Sequence, residues 1–241
     1  MKYIKLNGLD NEIPIFDNEE LCETCSYPKD KKGCNSCNIF FKNRIVTGGE
    51  IYFDKIFSVG KYIHMKESLP LEKSPRDTMT WLILNYKGRK EMAPFCAELL
   101  NLKFLEVFPN LGASKEKTII CFVPDDEEEP LQKGELLASE FSKRVGIDFY
   151  SLFKKIKKTK KQHKLHNLKE KRENVKGAYI IREEFVPFLD KKTILLVDDV
   201  VTSMLTINEC SKLLKEKGAE KIFVFSVSRA LLSKEKGKRT K

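Results

Sequence analysis

Residues 195–206 read LLVDDVVTSMLT, and this stretch decides how the second half of the chain is interpreted. The apolar run 193–197 ends directly in Asp198 and Asp199. Such a run is typical of a buried strand in a parallel sheet. The two acids are therefore expected at the carboxyl end of that strand, which is the edge where open α/β sheets bind ligands.

Hydroxyl side chains follow the two acids at Thr202, Ser203 and Thr206. Residues 206–217 carry apolar side chains at helical spacing, so a helix is predicted directly after the hydroxyl residues. The first N–H groups of a helix favour an anion, which predicts a phosphate cradle beside carboxylates suited to ribose hydroxyls. The same residues equally fit a solvated strand end followed by an ordinary Ser or Thr helix cap.

The second half of the chain alternates between strand and helix patterns, which predicts βαβ units and a parallel sheet flanked by helices. In the first half, two helices are expected between residues 76 and 105, broken near Lys87 and Gly88, and paired strands are expected within 48–65. The predicted fold class is α/β. The predicted strands of the second half are 118–123, 179–181, 193–197 and 222–227, and its predicted helices are 134–145 and 206–217.

Four of the seven cysteines form two Cys-x2-Cys pairs, Cys22 with Cys25 and Cys34 with Cys37, separated by eight residues. Two such knuckles can close a tetrahedral zinc site with four thiolate ligands and no open position, so the predicted role is structural. The alternative is four free cysteines. The other three cysteines, Cys96, Cys121 and Cys210, stand in apolar runs and are predicted to be core residues.

The formal charge of +10 is concentrated in two places. Residues 154–176 contain eleven Lys and Arg against two Glu, a local charge of +9, and residues 234–241 add a basic tail. These segments fit a polyanion, either nucleic acid or a phosphorylated small molecule, or else a solvated loop and a frayed terminus. Few aromatic residues stand nearby, which favours recognition of backbone phosphates over base stacking.

No apolar run reaches the roughly 18 residues of a spanning helix, and residues 1–16 lack the apolar core of a secretory signal. The expected location is the cytoplasm.

The stretch 197–206 resembles the phosphoribosyl-pyrophosphate motif of type I phosphoribosyltransferases, VDD-x-x-TTGAT. The resemblance implies that Asp198 and Asp199 hold the ribose hydroxyls. It also implies that the hydroxyl residues of the loop hold the 5′-phosphate. Met204 stands where the motif has glycine, and Leu205 where it has alanine. Because glycine permits positive φ and close backbone approach, methionine predicts a narrower cradle or weaker phosphate binding.

Two further segments resemble motifs of the ComF family. Residues 159–165, TKKQHKL, are similar to its T-x-x-Q-x-x-L, and residues 172–179, RENVKGAY, are similar to its R-x-x-N-V-x-G-A-F. The order of all these elements also matches. Relatives carry a basic R-G-F-N-Q-type run after the Val-Pro strand end, whereas this chain has five acids at 125–129. Such acids repel pyrophosphate unless a divalent metal intervenes.

The resemblance implies a zinc-ribbon segment at 1–45 and a phosphoribosyltransferase-like domain at 46–241. It implies binding of phosphoribosyl pyrophosphate or a nucleotide with Mg²⁺, and handling of single-stranded DNA in natural competence, with a competence helicase or other DNA-uptake proteins as partners. Two alternatives stay open: an active phosphoribosyltransferase with an unknown acceptor, and a zinc-ribbon scaffold with a vestigial site. No catalytic residue is assigned. The expected ligand or nucleic-acid contacts are Lys154, Lys155, Lys157, Lys158, Lys160, Lys161, Gln162, Arg172 and Asn174.

Overall fold

A parallel four-stranded sheet forms the centre of the molecule in the computed structural model, which describes residues 2–16, 21–29, 33–42, 50–62, 78–125, 132–160, 165 and 167–230. The strand order is β3-β8-β7-β4, and every neighbouring pair runs parallel. The predicted α/β class with a parallel sheet is thereby confirmed. The four strands are β3 (Lys55–Tyr62), β4 (Thr118–Phe122), β7 (Thr193–Val201) and β8 (Lys221–Ala230).

Two short antiparallel ribbons accompany this sheet, one formed by β1 and β2 and the other by β5 and β6. Their strands are β1 (Lys2–Ile4), β2 (Ile13–Ile15), β5 (Phe153–Lys155) and β6 (Tyr179–Ile181). The α-helices are α1 (Asn35–Lys42), α2 (Thr78–Tyr86), α3 (Ala93–Val107), α4 (Lys133–Val145), α5 (Leu168–Val175) and α6 (Leu205–Glu216). No helix in these parts of the chain is both long and apolar enough to cross a membrane.

The two faces of the central sheet bury separate apolar clusters, because successive strand residues point to opposite faces. Leu195 and Val197 of β7 pack in one cluster with residues of α2, α3, α4 and the β1–β2 ribbon. Ile194 and Leu196 pack in the other cluster with residues of α6, the β5–β6 ribbon and the cysteine segment. Because both faces of β7 are buried, every residue of the run 194–197 is apolar.

Two predicted strand pairings were wrong in detail. The segment 48–65 was expected to form paired strands, but its described part contains one strand, β3, which pairs in parallel with the distant β8. Residues 179–181 form a strand as predicted, yet it pairs antiparallel with β5 outside the central sheet. A strand's partner is set by tertiary packing, which local residue patterns do not encode.

The segment 1–45 is divided between the two faces of the sheet. Leu6 and Ile13 of the first ribbon lie in one apolar cluster, whereas Cys25 and Cys37 lie in the other. The predicted boundary near residue 45 falls outside the described residues, so the division into two domains stays a prediction.

Candidate functional site

The four clustered cysteines converge on one point. Cys22 and Cys25 lie in a tight turn, closed by the Cys22 N–H donating to the carbonyl of Tyr27 at 2.9 Å. Cys34 directly precedes α1, and Cys37 lies in its first turn, where its N–H donates to the Cys34 sulfur at 3.4 Å. As a result all four sulfur atoms lie within 4.8 Å of one another.

The sulfur spacing fits a tetrahedral metal. Cys22 and Cys37 are 3.8 Å apart, and Cys25 lies 3.4 Å from both Cys34 and Cys37. Thiolates at about 2.3 Å from zinc would be about 3.8 Å from one another, so only small adjustments are required. The four cysteines can therefore hold a metal such as zinc. Among the described residues they form the only group of three or more ligating side chains close enough to do so.

Hydrogen bonds between the sulfurs shift the pKa values of Cys25 and Cys34 in opposite directions. Hydrogen bonds from Cys25 and Cys37 lower the pKa of Cys34 to about 2, while the bond to Cys34 raises the pKa of Cys25 to about 12. Because a metal binds thiolates, its binding must release protons and will be stronger at higher pH.

Asp198 and Asp199 lie near the carboxyl edge of the sheet, where β7 extends beyond the end of its neighbour β4. β7 continues through both acids to Val201 and remains paired with β8, whereas β4 ends opposite Val197. Strand alternation directs Asp198 toward the layer that contains α6 and Asp199 toward the layer that contains α2. In open parallel sheets the ligand-binding crevice lies at this edge, and the region around Asp198 and Asp199 beyond the end of β4 is called the crevice below.

The surroundings of Asp198 disfavour its charged form. Burial raises the pKa of Asp198 well above its ordinary value, and the neighbouring Asp199 carboxylate adds to the shift. The Asp198 Oδ1 accepts a hydrogen bond from the Asp199 N–H at 2.9 Å. Asp198 is consequently a group that resists ionisation until a donor or a cation approaches it.

Lys87 reaches the same crevice from the end of α2, and sequence reasoning missed it as a site residue. Its Nζ lies 3.4 Å from Asp199 Oδ2 and 5.9 Å from the ring centre of Tyr62. Desolvation lowers the pKa of Lys87, but the carboxylates of Asp199 and Asp198 outweigh it, so the net shift is upward. The lysine side chain is still 42% exposed, so a ligand can reach it.

The position of Lys87 depends on the end of α2. The hydroxyl of Tyr86 is buried and donates to the carbonyl of Lys133, which joins the end of α2 to the start of α4. The break at Lys87 and Gly88 between two helical patterns was visible in the sequence. No local signal indicated that it would meet an aspartate more than a hundred residues away.

The hydroxyl residues follow β7 and lead into α6. Thr202 is exposed, and Ser203 and Thr206 are half-buried. α6 begins at Leu205, and its capping residue Met204 makes no side-chain hydrogen bond to the helix. The first turn of α6 is therefore presented next to the hydroxyls without a side-chain cap, as an anion site requires.

Met204 keeps the backbone shape that glycine would favour. Its φ is +65°, in the left-handed region, which costs a non-glycine residue about 1–2 kcal/mol. Its side chain is only 2% exposed and packs in the apolar cluster that contains the cysteines. The methionine side chain thus lies in the core and the loop backbone retains its turn.

Asp125 is the first residue of the acidic run and is hydrogen-bonded to the start of α4. Its Oδ2 accepts a hydrogen bond from the N–H of Gly134 in the first turn of α4, at 2.8 Å. A side chain at Gly134 would approach the carbonyl of Val123 to 2.6 Å, so glycine is required there. Burial raises the pKa of Asp125. Residues 126–129, the rest of the predicted acidic run, lie outside the described residues.

The basic segment lies on β5 and the chain that follows it. Lys154, Lys157, Lys158 and Lys160 are exposed, and Lys155 is half-buried with its Nζ 5.8 Å from the ring centre of Tyr179. This run forms a cationic strip, as a phosphate backbone requires. The predicted contacts Lys161 and Gln162, and the basic tail, lie outside the described residues.

Two predicted nucleic-acid contacts have structural partners. The side chain of Asn174 accepts from the N–H of Lys160 at 2.7 Å and donates to its carbonyl at 2.8 Å. The Nζ of Lys157 donates to the carbonyl of Glu173 at 2.7 Å. Both residues fasten the basic strip to α5, which also carries the half-buried Arg172.

Comparison with known proteins supports the resemblance. No family model matches the chain. Over 101 residues the chain is 35% identical to Competence protein F of Haemophilus influenzae (strain ATCC 51907 / DSM 11121 / KW20 / Rd). The predicted resemblance to the ComF family is confirmed. The matched stretch covers 41% of this chain and 42% of the relative, so the chain spans less than half the length of that relative.

Similar solved structures include adenine phosphoribosyltransferases. The enzyme from Leishmania tarentolae is 13% identical, with 70% of this chain and 82% of that chain covered and a TM-score of 0.36. The enzyme from Trypanosoma brucei, solved with AMP, pyrophosphate and ribose-5-phosphate, is 14% identical, with coverages of 85% and 83% and a TM-score of 0.37. Likenesses this distant carry no argument about function.

Proposed function

We propose that this chain binds phosphoribosyl pyrophosphate or a nucleotide in the crevice between β7 and the end of α2, as a ComF-like protein. The observation that carries the proposal is the 3.4 Å ion pair between Lys87 and Asp199 at the carboxyl edge of the sheet. It brings a cation suited to phosphate beside carboxylates suited to ribose hydroxyls. If the ion pair served only to stabilise the fold, it would require neither the second acid, Asp198, nor the uncapped start of α6 beside it.

Each group has a separate role in this proposal. The carboxylates of Asp198 and Asp199 accept hydrogen bonds from the two ribose hydroxyls. The hydroxyls of Thr202, Ser203 and Thr206, with the first N–H groups of α6, hold the 5′-phosphate. Lys87 turns from Asp199 toward the diphosphate, and Mg²⁺ supplies the charge that keeps the acids and the diphosphate together.

An active phosphoribosyltransferase is the second candidate, and the turn after α2 favours it. Lys87, Arg89 and Lys90 are all exposed on this turn, which gives it the positive charge that a pyrophosphate site requires. In such a reaction the bond from ribose C1 to pyrophosphate breaks while an acceptor nitrogen bonds to the same carbon. Release of pyrophosphate in the presence of candidate bases would distinguish turnover from binding.

The cysteine site and the basic strip complete the proposal. We infer that the four cysteines hold zinc in a structural role, since their sulfur spacing fits that ion. The exposed lysines of the strip are proposed to bind single-stranded DNA through its phosphates. The likeness to Competence protein F of Haemophilus influenzae supports a role in competence and, with it, protein partners in DNA uptake.

The test of the crevice is calorimetric titration with phosphoribosyl pyrophosphate and Mg²⁺. Wild type should bind, and Asp199→Asn should weaken binding by about tenfold or more, since a hydrogen bond to a charged group contributes about 1.5–3 kcal/mol. The Asp198→Asn/Asp199→Asn double variant should weaken it further.

Asp190→Asn is the matched control. Asp190 is exposed and lies just before the amino end of β7, at the opposite edge of the sheet, so its substitution should leave affinity unchanged. Equal affinity in wild type and Asp199→Asn would remove the proposed role of the acids. If wild type does not bind phosphoribosyl pyrophosphate with Mg²⁺, the proposal that this compound is the ligand is wrong.

A further inference from the structure

Arg229 of β8 is fully buried and joins the cysteine site to the end of β7. Its Nε donates to the carbonyl of Cys25 at 3.2 Å, and its Nη2 donates to the Ser36 hydroxyl at 2.6 Å. Its Nη1 donates to the carbonyl of Val201 at 2.7 Å and also to that of Thr202. One guanidinium thus holds both the cysteine segment and the start of the 202–206 loop.

The buried charge of Arg229 meets neutral acceptors and an aromatic ring, since its Cζ lies 5.4 Å from the ring centre of Tyr27. In the described part of the chain its hydrogen-bond partners are neutral, and no carboxylate forms an ion pair with it. A buried charge without a counter-charge is unfavourable, and arginine does not lose its proton. The cysteine segment lies directly against this guanidinium, because the Arg229 Nε donates to the carbonyl of Cys25.

A metal in the cysteine site changes this balance. Four thiolates around a divalent ion carry a net charge of about −2, which offsets the arginine. The residues therefore fit the metal on two counts: the sulfur spacing described above, and a buried cation beside the site that has no carboxylate partner among the described residues.

Packing provides a second link between the same two regions. Val201, Met204 and Leu205 of the loop region share one apolar cluster with Cys25 and Cys37. A change in the order of the cysteine segment would thus reach the loop through both the guanidinium and the apolar contacts.

We propose that Arg229 is a positioning residue that couples metal occupancy of the cysteine site to ligand affinity at the 202–206 loop. With the metal bound, Arg229 is held in place and fixes the two carbonyls from which the loop departs. Without it, the guanidinium loses its counter-charge and the loop loses its fixed start. This inference rests on the proposed function for its ligand, while the coupling itself concerns only the chain.

The coupling predicts a reciprocal effect. Two sites linked through one element change each other's affinity by the same factor, ordinarily about 5–150-fold. Metal-loaded protein should bind phosphoribosyl pyrophosphate with Mg²⁺ at least about fivefold more tightly than stripped protein, and the ligand should strengthen zinc binding by the same factor.

The experiment compares loaded and stripped forms of wild type, Arg229→Met and Arg229→Lys. In wild type the ratio of the two ligand affinities should be about five or more, and in Arg229→Met it should fall toward one. An arginine that only stabilises the fold would lower affinity in both forms and leave the ratio unchanged. A wild-type ratio of one, or a wild-type ratio retained in Arg229→Met, overturns the proposal.

Hydrogen exchange of the amides of residues 202–207 gives a readout that needs no ligand. Removal of the metal should speed exchange in wild type, and Arg229→Met should exchange fast in both forms. If no form binds the ligand, the proposed function fails, yet exchange still decides the coupling: equal rates in loaded and stripped wild type overturn it.

Milder variants cover the case in which Arg229→Met does not fold. Ser36→Ala removes the hydrogen bond from Arg229 to α1 and keeps the arginine charge. Ser36→Ala and Arg229→Lys, as two single variants, should each give a reduced affinity ratio. Unchanged ratios in both variants overturn the proposal. Arg144→Lys is the control, because Arg144 pairs on the surface with Glu98 and Glu140 and should leave the ratio at its wild-type value.

Discussion

The cysteine site and the β7 crevice are built in opposite ways. The four sulfurs come from residues 22–37, a single short segment, and they close around one point with no open position. The crevice draws Asp199 from β7, Lys87 from the end of α2 and Asp125 from the end of β4. Its charged groups come from three separate parts of the chain, and Lys87 and Asp199 form an ion pair at 3.4 Å.

This difference explains what each site can do. A closed set of four identical ligands holds one ion and gains little from any further contact. Charged groups of both signs from separate elements, with the Lys87 side chain 42% exposed, can rearrange their contacts around a phosphorylated ligand with a divalent ion. The proposed function thus assigns stabilisation to the first site and ligand binding to the second, and Arg229 joins the first to the end of β7.

The largest expected effect is the loss of the metal from a single cysteine variant. Cys25→Ser removes one of the four sulfur ligands, and no other side chain of the closed site can take its place. Zinc content should therefore fall from about one per chain to none. Elemental analysis of protein purified without chelators measures this. Cys121→Ala, a buried cysteine outside the site, should keep its zinc. Metal retained in Cys25→Ser would break the comparison.

The basic strip tests whether DNA binding is separate from the crevice. If single strands lie along it, five to seven phosphate contacts should give a slope of log affinity against log salt of about −3.5 to −5. Changing Lys154, Lys155, Lys157 and Lys158 to glutamine should reduce that slope by up to about 2.8 and leave phosphoribosyl pyrophosphate affinity unchanged. Absence of single-strand binding at low salt would show that the strip is a solvated surface.

A smaller effect should separate the two carboxylates of the crevice. Because the pKa of Asp198 is raised, this group stabilises the fold while protonated and loses that contribution as pH rises through the raised pKa. Asp198→Asn should therefore melt higher than wild type at neutral pH, with a gap that closes toward acidic pH.

The size of the Asp198 effect follows from ordinary substitution energies. Single substitutions change stability by about 0.5–3 kcal/mol, and each kcal/mol shifts the melting temperature of a protein of this size by about 2–4 °C. Thermal denaturation from pH 4 to pH 8 measures it, with Asp190→Asn as the control. A gap that is constant across this range would show that Asp198 does not titrate as described.

Local pattern was sufficient for the parts of the fold that depend on neighbouring residues. The apolar run ending in Asp198, the helix after it and the two Cys-x2-Cys knuckles were all predicted, because each is determined within about twenty residues. The partner of β3, the antiparallel pairing of 179–181 and the contact of Lys87 with Asp199 were not. They depend on packing between distant segments, which periodicity does not report.

Asn174 and Lys157 illustrate the same limit within the predicted site. Their place in a basic stretch favoured contact with nucleic acid, whereas the structure shows hydrogen bonds that fasten the strip to α5. Residue type and charge predicted that the strip is cationic. They could not indicate which members point outward and which hold the strip in place.

The central claim is that the crevice assembled by tertiary contacts binds the ligand, and Lys87→Met tests it most directly. Lys87 was not among the site residues predicted from the sequence, so its effect on binding tests the contact that the structure shows. In calorimetric titration with phosphoribosyl pyrophosphate and Mg²⁺, Lys87→Met should bind about tenfold or more weakly than wild type, as expected for a lost charge-assisted hydrogen bond. Lys217→Met, an exposed lysine beyond the far end of α6, should bind as wild type does. Equal affinities in wild type and Lys87→Met would contradict the account.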